Sequence, residues 1–459
     1  MHSNDPAKDV QLFQAEISRL LAGATETNLL CFSDFVFPSA VFKRATISVP
    51  VSFRGAQFRG TADFSGSVFL SSSDFSKCKF DADVTFASAD FRGAVEFSDV
   101  LFECDMNFDH SRFLVDVSFS GTHFRKKARF VRAGFGDAAI FCHTTFWNVA
   151  DFSGSTFGSI ALPAPSRDSE QPRSAFANEM EFLFSLGAIA DFRWAEFVDP
   201  TKATFYQVNR HSEHGLNLQC FGCNLDGIVF ADVNWLRFSG RMILQDELAL
   251  RFALETGDHR GLAGEEPTLT FDSVGSVYRQ LIRNFEKAKD YDLAEDCFCG
   301  VMEMKRLDPT RSIVLRNQNF AAATASGRLA RFILGKFSIL NLYRLASMYG
   351  SSYRRALVVL AMLLVSFGVL FPFSGLRMTD EAGGTASAVF NWVLPTHVGS
   401  FLRTLGSGLW ASVEIATFQK KPTVEIIGKW GRRLAAAEVV AISGQVTLVL
   451  LALRRRFRF

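Results

Sequence analysis

The sequence predicts a β-solenoid followed by a helical hairpin and an α-helical transmembrane module, and three observations carry that prediction. Phenylalanines recur every five or six residues through the first third of the chain, small or apolar residues stand two positions before each of them, and two long uncharged apolar runs lie near the C-terminus.

The ladder runs through Phe53, Phe58, Phe64, Phe69, Phe75, Phe80, Phe86, Phe91, Phe97, Phe102, Phe108 and Phe113, and continues through Phe119, Phe124, Phe130, Phe135, Phe141, Phe146, Phe152 and Phe157, with steps of 5 and 6 in strict alternation. A helix would scatter these positions around its surface, and a flat strand would throw alternate rings to opposite faces. Two before the rungs stand Val51, Ala56, Ala62, Ser67, Ser73, Cys78, Val84, Ala89, Val95, Val100, Met106, Ser111, Val117, Thr122 and Ala128. Each step therefore sends one large and one usually small side chain inward. Short repeats of this kind bury their apolar faces only by stacking on their neighbours. On this reading Phe108 faces the core, and Asp109, just outside it, tolerates replacement.

With Arg-Gly, Ser-Gly and similar turn formers between the inward pairs, the ladder resembles the pentapeptide-repeat family over roughly residues 32 to 160 and again at Phe192, Phe197, Phe205 and Phe230. The resemblance implies a right-handed quadrilateral β-helix with the central Phe and the residue two before it inside. Four sides at this spacing use 22 residues. Residues 53 to 157 then make about five coils and a rod of about 24 Å. Some members of that family mimic duplex DNA and bind topoisomerases, which needs an acidic rod. Residues 32 to 160 carry 13 Lys plus Arg against 14 Asp plus Glu, which argues against that role.

A chain of 459 residues that is 48% hydrophobic has room for two or three domains. Its net charge of +2 selects no polyanionic partner, and its 49 Phe go largely into the ladder, so no nucleic acid is expected. Eight cysteines behind an opening "MHSNDPAKDV" without a secretory signal fit a reducing compartment.

Residues 8 to 22 read as an amphipathic helix, so that residues 1–31 form an N-terminal helical cap on a solenoid spanning 32–245. The Pro- and Ser-rich stretch at 162 to 175 places a loop at about 160–180. Apolar positions at spacings of three and four over 276 to 306 predict a helical hairpin that connects or caps, with Asp292 as N-cap and Glu295 as its pair, inside a connector of residues 246–350.

Residues 351–459 form the membrane module. "ALVVLAMLLVSFGVLFPF", residues 356 to 373, has no charge over 18 positions, enough for about 27 Å of helix. A second run from Leu434 to Leu453 covers about 30 Å and stops at "RRRFRF". Glu438 lies near its start, where it snorkels to the interface. Arg354 and Arg355, with Arg454, Arg455 and Arg456, place the solenoid and the C-terminus in the cytoplasm of a multi-pass inner-membrane protein. Lys420, Lys421, Lys429, Arg432 and Arg433 also load the intervening loop, so that loop is held at the surface or carries function.

Between the spans, "FLRTLGSGLWASVEIATFQKKP", residues 401 to 422, is too polar for a third crossing. A span, a re-entrant helix and a span is the layout of two-helix tetrameric cation channels. The chain resembles bacterial proteins that join pentapeptide repeats to such a channel-like module, on "AEDCFCGVMEMKR", "NLYRLASMYGSSYRR", "GLWASVEIATF" and "EVVAISGQVTLVLLALRRRFRF". The resemblance implies a homo-oligomer, a tetramer being favoured, and makes Trp410, Glu414, Thr417, Phe418, Gln419, Lys420, Lys421, Glu438 and Gln445 the pore-region candidates. One departure is specific. A potassium filter needs glycines whose carbonyls replace the ion's hydration shell, whereas Thr417 is followed by Phe418, Gln419, Lys420, Lys421 and Pro422. "GFGD" at Gly134–Asp137 imitates a filter in letters only, because Phe135 holds its rung of the ladder.

His211, His214, Cys220 and Cys223 have spacings that a tetrahedral zinc site uses, against the simpler reading of the cysteines as small interior residues. No phosphate-binding loop, nucleophile elbow or paired His-Glu motif is present, so neither an enzyme nor a cofactor is expected. The sequence therefore points to an oligomeric, ion-channel-like membrane protein with a cytoplasmic solenoid, or alternatively to a bilayer-anchored scaffold whose solenoid binds a protein partner without conduction.

Overall fold

The computed structural model describes residues 11, 15, 16, 19, 29–158, 189–210, 212, 215–256, 269–308, 339–374, 376–378, 389–390, 398–417, 424–426 and 429–456. The chain forms two compact units, Met1–Asp308 and Pro309–Phe459. The helix expected over residues 8 to 22 and the loop at 160–180 fall almost wholly outside the described residues.

In the first unit the ladder winds into a β-solenoid of about eight turns, with strands mostly two residues long stacked in four parallel sheets of eight, seven, eight and six strands. Phe80 pairs with Phe102 and Val84 with Met106, each 22 positions on, as the spacing requires. The rod is longer than the five coils read from residues 53 to 157. Buried Phe32, Phe37, Phe42 and Ile47 precede them. Beyond them, Ala190 pairs with Ala139 and Glu196 with Thr145, so the sheets continue in register past the interval of the expected loop. Seven spacings between eight strands give a height of about 34 Å.

The interior is four columns of stacked side chains. Phe53, Phe75, Phe97 and Phe119 lie 4.8, 4.9 and 5.0 Å apart, ring on ring. Adjacent columns meet edge to face, as Phe75 and Phe86 do at 5.5 Å and 85°. Both arrangements suit the ring quadrupole. The small positions fill the corners, and their polar members find carbonyls. Ser67 Oγ donates to Phe64 O at 2.7 Å, Ser111 Oγ to Phe108 O at 2.7 Å, and Thr144 Oγ1 to Phe119 O at 2.8 Å.

The alternation of five and six reflects two kinds of corner. After Phe53, a turn closes through Ala56 N to Phe53 O at 2.8 Å, with Gly55 at φ 71° in its third position. The same left-handed residue recurs 11 positions on at Gly66, Lys77, Ser88, Asp99, His110, Gly121, Arg132, His143 and Gly154. A positive φ at that position is the mark of a type II turn. The six-residue corner is wider and depends on close approach: a Cβ on Gly93 would lie 2.4 Å from the Ser71 carbonyl carbon of the coil beside it.

Asp109 departs from the expectation that it is a free exterior position. Its carboxylate pairs with Arg129 at 2.5 Å and accepts from Val131 N at 3.1 Å, so it ties two coils together.

Three helices close the far end of the solenoid: α1 (Gln245–Thr256), α2 (Phe271–Lys287) and α3 (Tyr291–Leu307). A solenoid end exposes unpaired backbone groups and a raw apolar core. Here side chains meet the backbone: Gln280 Oε1 accepts from Leu225 N at 2.6 Å, Asn284 Oδ1 from Gly227 N at 2.8 Å, Asp296 Oδ2 from Met242 N at 3.0 Å, and Asp246 Oδ2 from Cys220 N at 2.8 Å. The hairpin therefore caps. Its N-cap is Asp290, accepting from Leu293 N at 3.2 Å, and not Asp292. The reason is local, because Lys289 at φ 61° ends the turn and Asp290 is the next residue able to cap.

The second unit contains α4 (Ile339–Ser347), α5 (Tyr353–Leu370), α6 (Val398–Ala416) and α7 (Lys429–Arg456). Ser352 caps α5 through Arg355 N. A small antiparallel sheet places Leu376–Met378 between Val389–Phe390 and Val424–Ile426. Helices α5 and α6 touch at glycines: a Cβ on Gly408 would stand 2.1 Å from Gly368 O. Small residues at such a crossing let two helix backbones approach closely.

Candidate functional site

The pore-region candidates fall on α6, on α7 and on the link between them, and the contacts within the unit fix how these run. Gly408 of α6 meets Gly368 of α5, and Ser412 Oγ lies 3.0 Å from Leu364 O, so α6 runs antiparallel to α5. Ser412 also meets Glu438 of α7, while Gly431 near the start of α7 abuts Ser374. Helices α6 and α7 are therefore parallel. From Ser374 down to the level of Leu364 is about 15 Å at helical rise.

Both ends of α6 lead to the same sheet, through Val389–Phe390 before it and Val424–Ile426 after it. Val424 N donates to Glu414 Oε2 at 3.2 Å, and Leu376 pairs with Ile426. The helix thus descends beside α5 and the chain returns toward its starting side.

Trp410 Nε1 donates to Glu414 Oε1 at 2.7 Å, so the buried Glu414 joins the last turns of α6 to the returning strand. Thr417 is exposed and its hydroxyl turns back to Val413 O at 2.8 Å. Phe418, Gln419, Lys420 and Lys421 lie outside the described residues. Gln445 sits apart from the others: its Nε2 donates to Ala346 O at 2.9 Å and to Ala356 O at 2.8 Å, tying α7 to α4 and α5. Glu438 does not snorkel. Helix α7 begins at Lys429, five residues before the apolar run, which places Glu438 well inside the helix and fully buried against Ser412. Ser412 and the Leu364 carbonyl were not legible as site groups, since nothing in their spacing marks them.

Of the four zinc candidates, only the two cysteines fall among the described residues. His211 and His214 lie outside the described residues, Cys220 and Cys223 sit in the solenoid core with burial pushing both thiols up, and among the described residues no three His, Cys, Asp or Glu side chains cluster to hold a metal.

A buried ionic network in the cap went unseen in the sequence. Glu247 meets Arg241, pairs with Arg251 at 2.7 Å and accepts from the Tyr278 hydroxyl at 2.6 Å, and Arg251 reaches Glu303 at 2.8 Å. Its members satisfy one another, which identifies a structural joint between α1, α2 and α3. On the outside of the rod, Asp90 lies between Arg92 at 3.1 Å and Arg112 at 3.0 Å, so charges interleave and leave no acidic rail there. The described solenoid carries an open groove of about 590 Å³ along the face of Ser52, Asp74, Glu96 and Ser118.

Residues 32–76 and 64–112 match the family model described as Pentapeptide repeats (9 copies). Pentapeptide repeats thus make up residues 32–112 of the solenoid. A pentapeptide-repeat solenoid is typically a structural or interaction scaffold. The match covers repeats alone and does not extend to the second unit. No curated protein and no solved structure matched the chain. Two helical segments, Tyr353–Ser374 and Lys429–Arg455, are long and apolar enough to cross a membrane.

Proposed function

We propose that this chain is an oligomeric, pore-like membrane protein whose pentapeptide-repeat solenoid serves as a cytoplasmic interaction or sensing domain and whose pore module lacks a potassium filter. The observation that carries the reading is the course of α6, which enters beside α5 and returns to the same small sheet under the Glu414–Val424 hydrogen bond. A re-entrant helix between two spans is tolerated at membrane depth where it is buried in protein or lines a cavity. Exposed Leu357, Val358, Met362 and Val365 on α5 and Val440 and Leu450 on α7 give the unit an apolar exterior for lipid or for neighbouring copies. Arginines at the outer ends of both spans favour a cytoplasmic solenoid and C-terminus.

The pentapeptide repeats also favour a second reading, in which the spans only anchor a scaffold that binds a protein partner. Oligomeric mass of the full chain in detergent separates the two. A pore of this layout requires about four copies around an axis, and a monomer at all concentrations would leave the scaffold.

A further inference from the structure

We propose that Glu438 is a proton-binding site inside the C-terminal unit, and that its bound proton links α7 to α6 and α5 through the Ser412 hydroxyl and the Leu364 carbonyl. The inference rests on the reading of that unit as a membrane module. Glu438 is fully buried, one carboxyl oxygen meets Ser412 Oγ, and the other, Oε2, has no hydrogen-bond partner among the described residues. Ser412 Oγ in turn lies 3.0 Å from Leu364 O.

Counting protons decides between two arrangements. A serine hydroxyl carries one proton. When Ser412 gives it to Leu364 O, its oxygen is left to accept from Glu438, which must then be the acid. When Ser412 gives it to Glu438 instead, a bare carboxylate remains buried with one oxygen unmet. No cation sits against it among the described residues. On α6, Glu414 is engaged by Trp410 and Val424, and Arg403 is exposed nine residues before Ser412. On α5, Arg354 and Arg355 lie at the opposite end from Gly368, and Arg344 lies on α4 beyond them. On α7, Lys429, Arg432 and Arg433 are exposed, and Arg454 and Arg455 are at the far end. A carboxylate held in such a place takes up a proton from water in preference to staying charged. The chain is then Glu438 to Ser412 to Leu364 O, each hydroxyl donating once. Losing the proton breaks it, because among the described residues the charged carboxylate has no donor but Ser412, and Ser412 cannot serve both acceptors.

The test uses the full chain in lipid nanodiscs and reads no current, so its failure is separable from failure of the pore reading. Infrared difference spectra at mildly acid pH, wild type minus Glu438→Gln so that the buried Asp246 cancels, are expected to show a protonated-carboxyl band that Ser412→Ala shifts. Glu438→Gln is expected to keep the wild-type thermal midpoint, and Ser412→Ala to lower it. Raising the pH until the band vanishes should lower the wild-type midpoint below that of Glu438→Gln at the same pH, toward that of Ser412→Ala, the Asp246 contribution being common to all three. Absence of the band from the wild type overturns the proposal. So does a Glu438→Gln variant less stable than the wild type at every pH, which marks a carboxylate held by a cation. A band that appears only after Lys420 and Lys421 are both changed to Gln overturns it in favour of a lysine partner.

Discussion

Phe86 and Phe108, one coil apart, lie with ring centroids 4.8 Å apart and planes 7° from parallel, and Phe130 continues the column at 5.3 Å. Each ring is thus sandwiched along the axis and met edge-on from the side, so a vacancy has no neighbour free to collapse into it. Changing Phe108 to Ala should destabilise the solenoid by about 3–5 kcal/mol. The control is Glu103, an exposed residue, and not Asp109, which is tied to the next coil. Chemical denaturation of the two variants checks it; equal midpoints would refute the inward column.

Gly93 marks a corner where coils nearly touch. A methyl group there would stand 2.6 Å from Ser72 N, backbone that cannot move without shifting the sheet. Gly93→Ala should cost at least about 1–3 kcal/mol. At Gly240, where φ is 83° and nothing lies within 4 Å, Ala should cost only backbone strain, about 1–2 kcal/mol. Comparison of thermal midpoints measures both, and a milder effect at Gly93 than at Gly240 would contradict the close approach.

The joint between the cap helices is held by Glu247, which faces Arg241, Arg251 and Tyr278. Glu247→Ala leaves two arginines buried without their shared partner, and a loss of about 3–5 kcal/mol is expected. Tyr278→Phe removes only the hydroxyl between Glu247 and Leu244 N, a loss of about 1–3 kcal/mol. Denaturant midpoints that rank Tyr278→Phe as the more damaging would overturn the order.

Asp246 gives the cap a pH dependence. Burial pushes its carboxyl up from 3.8 to about 7, the Cys220 N–H opposes that, and the charge of Asp191 adds to it. An acid whose folded value is raised binds its proton more tightly in the folded chain, so its contribution is full below 3.8 and is lost as pH rises through about 7. The shift bounds that contribution at about 4 kcal/mol. Melting curves across this window should show the wild type losing stability relative to Asp246→Asn as pH rises; parallel curves would show that Asp246 does not titrate there.

Thr417 is followed by Gln419, Lys420 and Lys421 with no glycine for a carbonyl filter. Four copies would set up to about eight ammonium groups near one axis, and such rings favour anions. Reversal potentials of the reconstituted protein should show no preference for potassium over sodium and a neutral to anion-preferring pathway that Lys420→Gln with Lys421→Gln weakens. Strong potassium selectivity would sink the idea, and silence under every stimulus would favour the scaffold.

The ladder determined the solenoid without help from tertiary structure, because its repeat is local: every rung from Phe53 through Phe135 stacks on a Phe one coil on, so spacing alone gives register and facing. The same locality made the two apolar spans legible by length. What the tertiary structure decided are contacts between residues far apart in the chain. Asp109 is fixed to Arg129 by coil stacking, Asp290 caps α3 because Lys289 turns the chain first, and Asp246, Glu247 and Glu303 become buried only when three helices close over the solenoid's end. Its place in the apolar run marks Glu438 as a surface anchor, but it is an interior group because α7 starts earlier and α6 folds back against it. Burial of a polar side chain depends on which distant element lands on it, and no sequence period encodes that.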